Sequence, residues 1–180
     1  MTKSAKIRVA TVWLSGCSGC HMSFLDIDER LIDLAKKITV VYSPIADVKE
    51  FPETVDVTLI EGAVANEEQL EMLKKVRIRT KILISLGDCA VDGNVTALRN
   101  SWRKSDQAIL ERAYKDPTDL NAAIPNAVPK LLVNARPLHE IVKVDFYVPG
   151  CPPHADLIYY VLTELLAGRA PVMEGRSKYG

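Results

Sequence analysis

Four cysteines, Cys17, Cys20, Cys89 and Cys151, are the side chains of this sequence best suited to chemistry. As thiolates they bind soft metals, and as thiols they exchange with disulfides. The pair Cys17-Ser18-Gly19-Cys20 has the C-x-x-C spacing of a redox dithiol. That reading leaves Cys89 and Cys151 unexplained. A structural zinc ion also takes four thiolates, but its ligands usually come as two close pairs. Here one pair and two distant singles are present. An iron–sulfur cluster accepts such spacing, because its ligands need only meet in space.

The elements around the cysteines say how they would meet. Five apolar, partly β-branched runs read as strands: Ile7 to Leu14, Ile38 to Tyr42, Val55 to Ile60, Ile82 to Leu86 and Val144 to Val148. Cys17 and Cys20 follow the first of these runs, Cys89 the fourth and Cys151 the fifth. Helical patterns lie between the runs, which predicts a parallel sheet covered on both faces, in a flavodoxin-like, doubly wound order. In such a sheet the turns after the strands share one carboxyl edge, where open α/β folds bind ligands. Gly16, Gly19, Gly87 and Gly150 stand in these turns. They would let backbone pass close to a bulky group and aim N–H donors at it.

One helical pattern places Phe24, Ile27, Leu31, Leu34, Ala35 and Ile38 on an inner face, with Asp26, Glu29, Asp33 and Lys36 opposite. A second starts at Asn66 as its cap, with Gln69 reaching back and Leu70, Leu73 and Val76 inward. The last follows Pro152 and Pro153, buries Leu157, Ile158, Val161, Leu162, Leu165 and Leu166, and stops near Gly168. Between strands four and five, Lys104 to Lys143 carries Pro117, Pro125, Pro129 and Pro137 and little periodicity. It reads as a long, partner-facing excursion with one short helix.

The chain of 180 residues is expected to form a single domain, residues 1–180. Lysine plus arginine and aspartate plus glutamate both count 23, so no basic excess points to nucleic acid. The stretch Leu157 to Ala167 is too short to span a bilayer. The N-terminus shows neither an apolar export segment nor a twin-arginine pair, which points to the cytoplasm.

With these residues in hand, the chain resembles the small subunit of nickel–iron hydrogenases, above all the cytoplasmic, NAD-reducing (bidirectional) type. The matching segments are Trp13-Leu14-Ser15-Gly16-Cys17-Ser18-Gly19-Cys20-His21-Met22-Ser23, Ile60-Glu61-Gly62, Gly87-Asp88-Cys89-Ala90 and Pro149-Gly150-Cys151-Pro152-Pro153. They occur in the family's order. The resemblance implies that Cys17, Cys20, Cys89 and Cys151 ligate one proximal 4Fe-4S cluster. It also implies that electrons pass between a nickel–iron site on a separate large subunit and a diaphorase module with further clusters, flavin and NAD. This chain alone is then not expected to be catalytic. The small subunit of respiratory complex I shares the fold but has adjacent cysteines at the first site. Respiratory hydrogenase small subunits add a cysteine-rich C-terminal portion, whereas this sequence reaches Gly180 with no fifth cysteine. A coenzyme-reducing or membrane-associated hydrogenase subunit is the alternative, and a zinc-stapled binding module is a second.

Several residues beside the cysteines invite a further role. Glu61 ends the third strand next to the first turn, as a candidate proton relay or as a solvated or capping carboxylate. His21 and His154 flank cluster cysteines and could donate to sulfide, although a surface or helix-start role is the simpler expectation. Asp88 would cap its own turn. Trp13 and Tyr147 are expected in the core. Ser15 and Ser18 sit where a flavodoxin-like fold cradles the phosphate of FMN, a cofactor linked with this hydrogenase type, but cysteines share that turn.

Overall fold

The apolar run Ile7–Trp13 forms β1, an interior strand of a parallel sheet whose two faces are both covered. The computed structural model describes residues 6–116, 122–177 and 179. Residues 1–5, Pro117 and Gly180 therefore lie outside the described residues. After β1 come α1 (Gly19–Leu25), α2 (Arg30–Lys37), β2 (Ile38–Tyr42), β3 (Val55–Glu61), β4 (Val64–Asn66) and α3 (Glu67–Arg79). The second half holds β5 (Thr80–Leu86), α4 (Asp88–Val91), α5 (Asn94–Ala97), α6 (Ser105–Tyr114), β6 (Leu131–Arg136), β7 (Phe146–Val148) and α7 (Ala155–Leu166).

The main sheet has the order β2-β1-β3-β5-β7 with every pair parallel, the flavodoxin-like arrangement expected from the alternating pattern. Successive residues of its strands feed opposite cores. Leu59 and Ile84 pack under α1, α2 and α7, while their neighbours Ile60 and Leu83 pack under α3. That double burial is why the strands read as continuous apolar runs. Among the described residues, no helix is long and apolar enough to cross a membrane.

Capping follows the local signals. Asn66 Oδ1 accepts from the Gln69 N–H at 2.8 Å, and Gln69 Oε1 reaches back to the Ala65 N–H at 2.9 Å. At the end of α7, Arg169 N–H donates to Glu164 O and Gly168 N–H to Leu165 O, closing the helix at the expected glycine. Leu73 and Val76 are fully buried, as are Ile158, Val161 and Leu162, while Leu70, Leu165 and Leu166 are half-buried.

Three expectations need correction. The single helix drawn through Phe24 and Ile38 is two helices, broken where Asp28 adopts φ +55°, a left-handed turn that Asp tolerates. Ala35 is consequently exposed and Ile38 opens β2. The excursion contains its expected helix, α6, but also β6, which pairs antiparallel with β4. Periodicity missed β6 because β4 supplies only three residues as its ladder. Side chains complete the pairing: Asn100 Nδ2 donates to Ala135 O at 2.7 Å, and Ala135 N–H donates to Asn100 Oδ1 at 2.8 Å. Arg99 likewise donates to Leu132 O at 2.8 Å.

The fifth strand begins at Phe146 rather than Val144 because a side chain replaces part of its ladder. The Asp145 carboxylate accepts from the Leu83 N–H at 2.9 Å, while the Asp145 N–H donates to Leu83 O at 2.9 Å. Arg77 donates to the same carboxylate at 2.6 Å and to Thr80 O at 2.5 Å. Burial pushes the Asp145 carboxyl up, but the Leu83 and Arg77 hydrogen bonds outweigh it and hold the carboxyl below the ordinary range. A depressed carboxyl stabilises the fold above its ordinary pKa of about 4, and the contribution fades as pH falls through the lowered value. Asp145→Ala is therefore expected to cost about 1–3 kcal/mol at neutral pH. Urea unfolding should show that difference shrinking below about pH 4.

Candidate metal centre

The turns after β1, β5 and β7 come together at the carboxyl edge of the sheet. All four cysteines line one cavity there, of about 70 Å³. Cys17 precedes α1 and Cys20 lies in its first turn, Cys89 is the second residue of α4, and Cys151 follows β7. All four are free thiols. The convergence expected from strand order is therefore present in the fold.

Backbone contacts bind the turns into a ring. Leu14 N–H donates to Glu61 O at 2.9 Å, and Ser15 and Ala63 exchange N–H···O bonds at 2.9 and 2.8 Å. Gly62, at φ +87°, permits this, since a Cβ there would stand 2.8 Å from the backbone of Leu14 and Ser15. Across the ring, Asp88 N–H donates to Gly150 O at 3.0 Å while Gly150 N–H donates to Asp88 Oδ1 at 2.6 Å. Asp88 thus braces a neighbouring turn. Ser23 Oγ donates to Pro153 O at 2.5 Å and joins α1 to the entry of α7. The Cys20 sulfur closes the circle by lying against Gly87, in the space a side chain there would fill.

The expectation that these glycines aim N–H groups inward fails at two positions. Gly87 N–H donates to Val148 O at 2.8 Å, and Gly150 N–H is taken by Asp88. Their part is steric: they let sulfur and backbone approach.

Glu61 is 3% exposed and lines the cavity. Its carboxylate accepts the His21 N–H at 2.7 Å and also those of Ser18 and Cys20. Ser18 makes no side-chain cap of its own, so a strand residue caps α1 from outside the helix. Burial pushes the Glu61 carboxyl above its ordinary value, and the three N–H donors only partly offset that. Cys20 is pushed up to about 12, first by burial, then by the Glu61 charge and by Cys89, Cys17 and Cys151. The Cys20 thiol therefore holds its proton at neutral pH, and a metal must displace it.

The other candidates separate from the cavity. His21 is buried, 4% exposed, with its ring packed between α1 and β1. Trp13 Nε1–H donates to His21 Nδ1 at 2.5 Å, which leaves the proton on Nε2, 3.3 Å from Thr11 Oγ1. Burial lowers its pKa, so the ring is neutral. Of the surface or helix-start role expected for His21, the first-turn position holds, but the surface half fails because it lies three residues before buried Phe24, on the inward stripe of α1. His154 keeps the helix-start role: it is exposed, and its Nδ1 accepts from Asp156 N–H at 3.3 Å. Trp13 and Tyr147 are not core residues, being 38% and 39% exposed. Each stands near the carboxyl end of its strand, where the helical layer opens.

The donor set fits an iron–sulfur cluster: four soft sulfur ligands stand round a cavity walled by small residues. Among the described residues, no three His, Cys, Asp or Glu side chains are gathered closely enough to hold a single metal ion. The loop does not fit the phosphate of FMN. Its backbone donors at Ser18, Cys20 and His21 already serve the Glu61 carboxylate, which would repel a phosphate, and Ser15 Oγ donates to Gln69 Oε1 at 3.0 Å.

Residues 17–165 match the family described as NADH ubiquinone oxidoreductase, 20 Kd subunit. The delta subunit of NAD-reducing hydrogenase HoxS from Cupriavidus necator is 42% identical, with 93% of this chain and 82% of that one covered. A subunit of the F420-non-reducing hydrogenase from Methanothermobacter marburgensis is 41% identical, with 91% of this chain covered. The present chain spans 54% of that protein's length, about half. The crystal structure of a NAD+-reducing [NiFe]-hydrogenase in the H2-reduced state contains a chain that superposes with a TM-score of 0.92 at 42% identity. That match covers 98% of the present chain and 100% of the other.

Gly87→Ala tests the ring. Its backbone, at φ +81° and ψ 159°, lies where essentially only glycine goes, which alone should cost an alanine about 1–3 kcal/mol. The displaced Cys20 sulfur should add about 1–3 kcal/mol as overpacking. Gly175→Ala, at φ +69° with no atom within 4 Å, reads the cost of a positive φ without overpacking. Denaturant unfolding of both variants should place Gly87→Ala clearly lower.

Proposed function

Because the chain belongs to the NADH ubiquinone oxidoreductase 20 Kd subunit family, and within it to the small subunits of nickel–iron hydrogenases of the NAD-reducing type, we propose that it carries one 4Fe-4S cluster and relays electrons for that enzyme. One observation carries the proposal: Cys17, Cys20, Cys89 and Cys151 line a single cavity at the sheet's carboxyl edge. These four residues would hold the cluster, which supplies reversible one-electron storage when bound. The chain's own part is positional. It fixes four sulfurs through the glycine-walled turns and places the group near a surface that a partner can cover.

The partner in this reading is a large subunit that bears the nickel–iron site. Val95, Leu98 and Trp102 expose apolar side chains just after the Cys89 segment, and Val128 and Val133 do so on the excursion. Such a surface suits burial against another chain. Electrons would leave toward diaphorase subunits that hold further clusters, flavin and NAD.

Anaerobically purified protein is expected to contain about four irons and four sulfides per chain. Cys89→Ser and Cys151→Ser should each strip or distort the cluster's spectrum. Stoichiometric zinc without iron would overturn the proposal and favour a zinc-stapled module.

Glu61 is also proposed as a proton relay, on the basis of its place in the cavity wall, buried and beside the cluster ligands. Glutamine keeps a carbonyl oxygen to accept the backbone N–H groups but cannot ionise. Glu61→Gln should therefore retain iron while slowing hydrogen–deuterium exchange in the assembled enzyme, by about a hundredfold or more if proton transfer limits the rate. Unchanged exchange and dye reduction would reject the relay.

A further inference from the structure

Thr96 is a neutral hydroxyl residue with no cysteine, glycine or charge to mark it in the sequence. It lies in α5, seven residues beyond Cys89. The chain doubles back between them: Gly93 N–H donates to Cys89 O at 3.1 Å, and Ala97 N–H donates to Gly93 O at 3.0 Å. That turn carries Thr96 over the Cys89 segment and against the loop after β1. There its hydroxyl donates to Ser15 O at 3.1 Å and lies near enough to the Cys89 side chain to offset part of the rise that burial imposes on that thiol.

A hydroxyl has one hydrogen, so the Ser15 carbonyl and the Cys89 sulfur compete for it. The Ser15 carbonyl does not depend on Thr96, because the Ala63 N–H already donates to it at 2.8 Å. The sulfur changes character with its state. A thiol is a weak acceptor, whereas a metal-bound thiolate carries charge and accepts a stronger, charge-assisted bond. Each electron added to a cluster raises the negative charge on its ligand sulfurs. A donor held there favours the reduced form over the oxidised one.

We propose that the Thr96 hydroxyl turns from the Ser15 carbonyl to the Cys89 sulfur when that sulfur is a cluster ligand, and thereby raises the cluster's reduction potential. The inference rests on the cluster reading above. Thr96 is a positioning residue in this scheme, since it acts on the cluster only through Cys89. Removing the hydroxyl leaves the four ligands intact and leaves Ser15 with a partner. The fold and the iron content should therefore persist while the potential moves.

The test uses the full chain with its cluster, prepared anaerobically as wild type, Thr96→Val and Thr96→Ser. Redox titration followed by electron paramagnetic resonance gives the midpoint potential. Electron–nuclear double resonance in H2O and D2O reports exchangeable protons near the cluster. Thr96→Val should shift the midpoint to more negative potential and lose an exchangeable-proton coupling. Thr96→Ser, which keeps the hydroxyl, should retain both wild-type values. A normal cluster whose potential and proton signal are unmoved in Thr96→Val overturns this inference alone. A wild-type chain with no cluster overturns the cluster reading and this inference with it. Should Thr96→Val fail to take up iron, the proton signal decides: its presence in wild type and Thr96→Ser supports the proposal, and its absence from either overturns it.

Discussion

Four sulfurs can share one small cavity only if the turns that carry them approach more closely than side chains normally allow. The contact between the Cys20 sulfur and Gly87 expresses that constraint most directly, since any Cβ at residue 87 would occupy the place of the sulfur. On one side, Gly16 lies against Gly62, where a Cβ would meet the Gly62 Cα at 3.2 Å. On the other, Asp88 and Gly150 exchange two hydrogen bonds across neighbouring turns. The parallel sheet brings the turns to one edge, and the contacts among them convert proximity into a shared site. A loosened turn would displace not one cysteine but the contact network that locates the others.

Two buried carboxylates hold this arrangement, and each does so by accepting backbone N–H groups. Glu61 gathers the first turn of α1, and Asp88 ties the turn after β5 to the turn after β7. In both cases an acid provides a bond that a neutral loop would otherwise seek from water. The cost appears in the thiols, because the Glu61 charge, added to burial, makes the Cys20 thiolate harder to form. Metal binding must then release protons and depends on pH, as expected wherever thiols are the ligands.

The neighbouring aromatic cluster is structural in the same sense. His21 accepts from Trp13, faces Thr11 and packs edge-on to Phe24, which locks α1 to β1 one residue beyond Cys20. A neutral ring in that place needs no counter-charge, so the helix bearing two of the four cysteines is anchored without adding a titrating group to the cavity.

Elements with local signals were legible in the order of residues alone. Continuous apolar runs marked the strands because both faces of a parallel sheet are buried, Asn66 and Gly168 marked helix ends through short-range capping, and cysteines placed just past strands implied their convergence. Whatever depends on partners distant in the chain emerged only from the packed molecule. Asp88 reads as a local cap until Gly150, 62 residues away, offers its N–H. Glu61 reads equally as a solvated residue until α1, which begins 42 residues earlier at Gly19, turns its N-terminus toward it. β6 escaped notice because its partner β4 is only three residues long and distant Asn100 and Arg99 side chains complete its bonding. The physical reason is common to these cases. Propensity and periodicity record what a residue does to its own turn of chain, whereas burial of a polar group is set by which distant donor or acceptor the fold delivers to it.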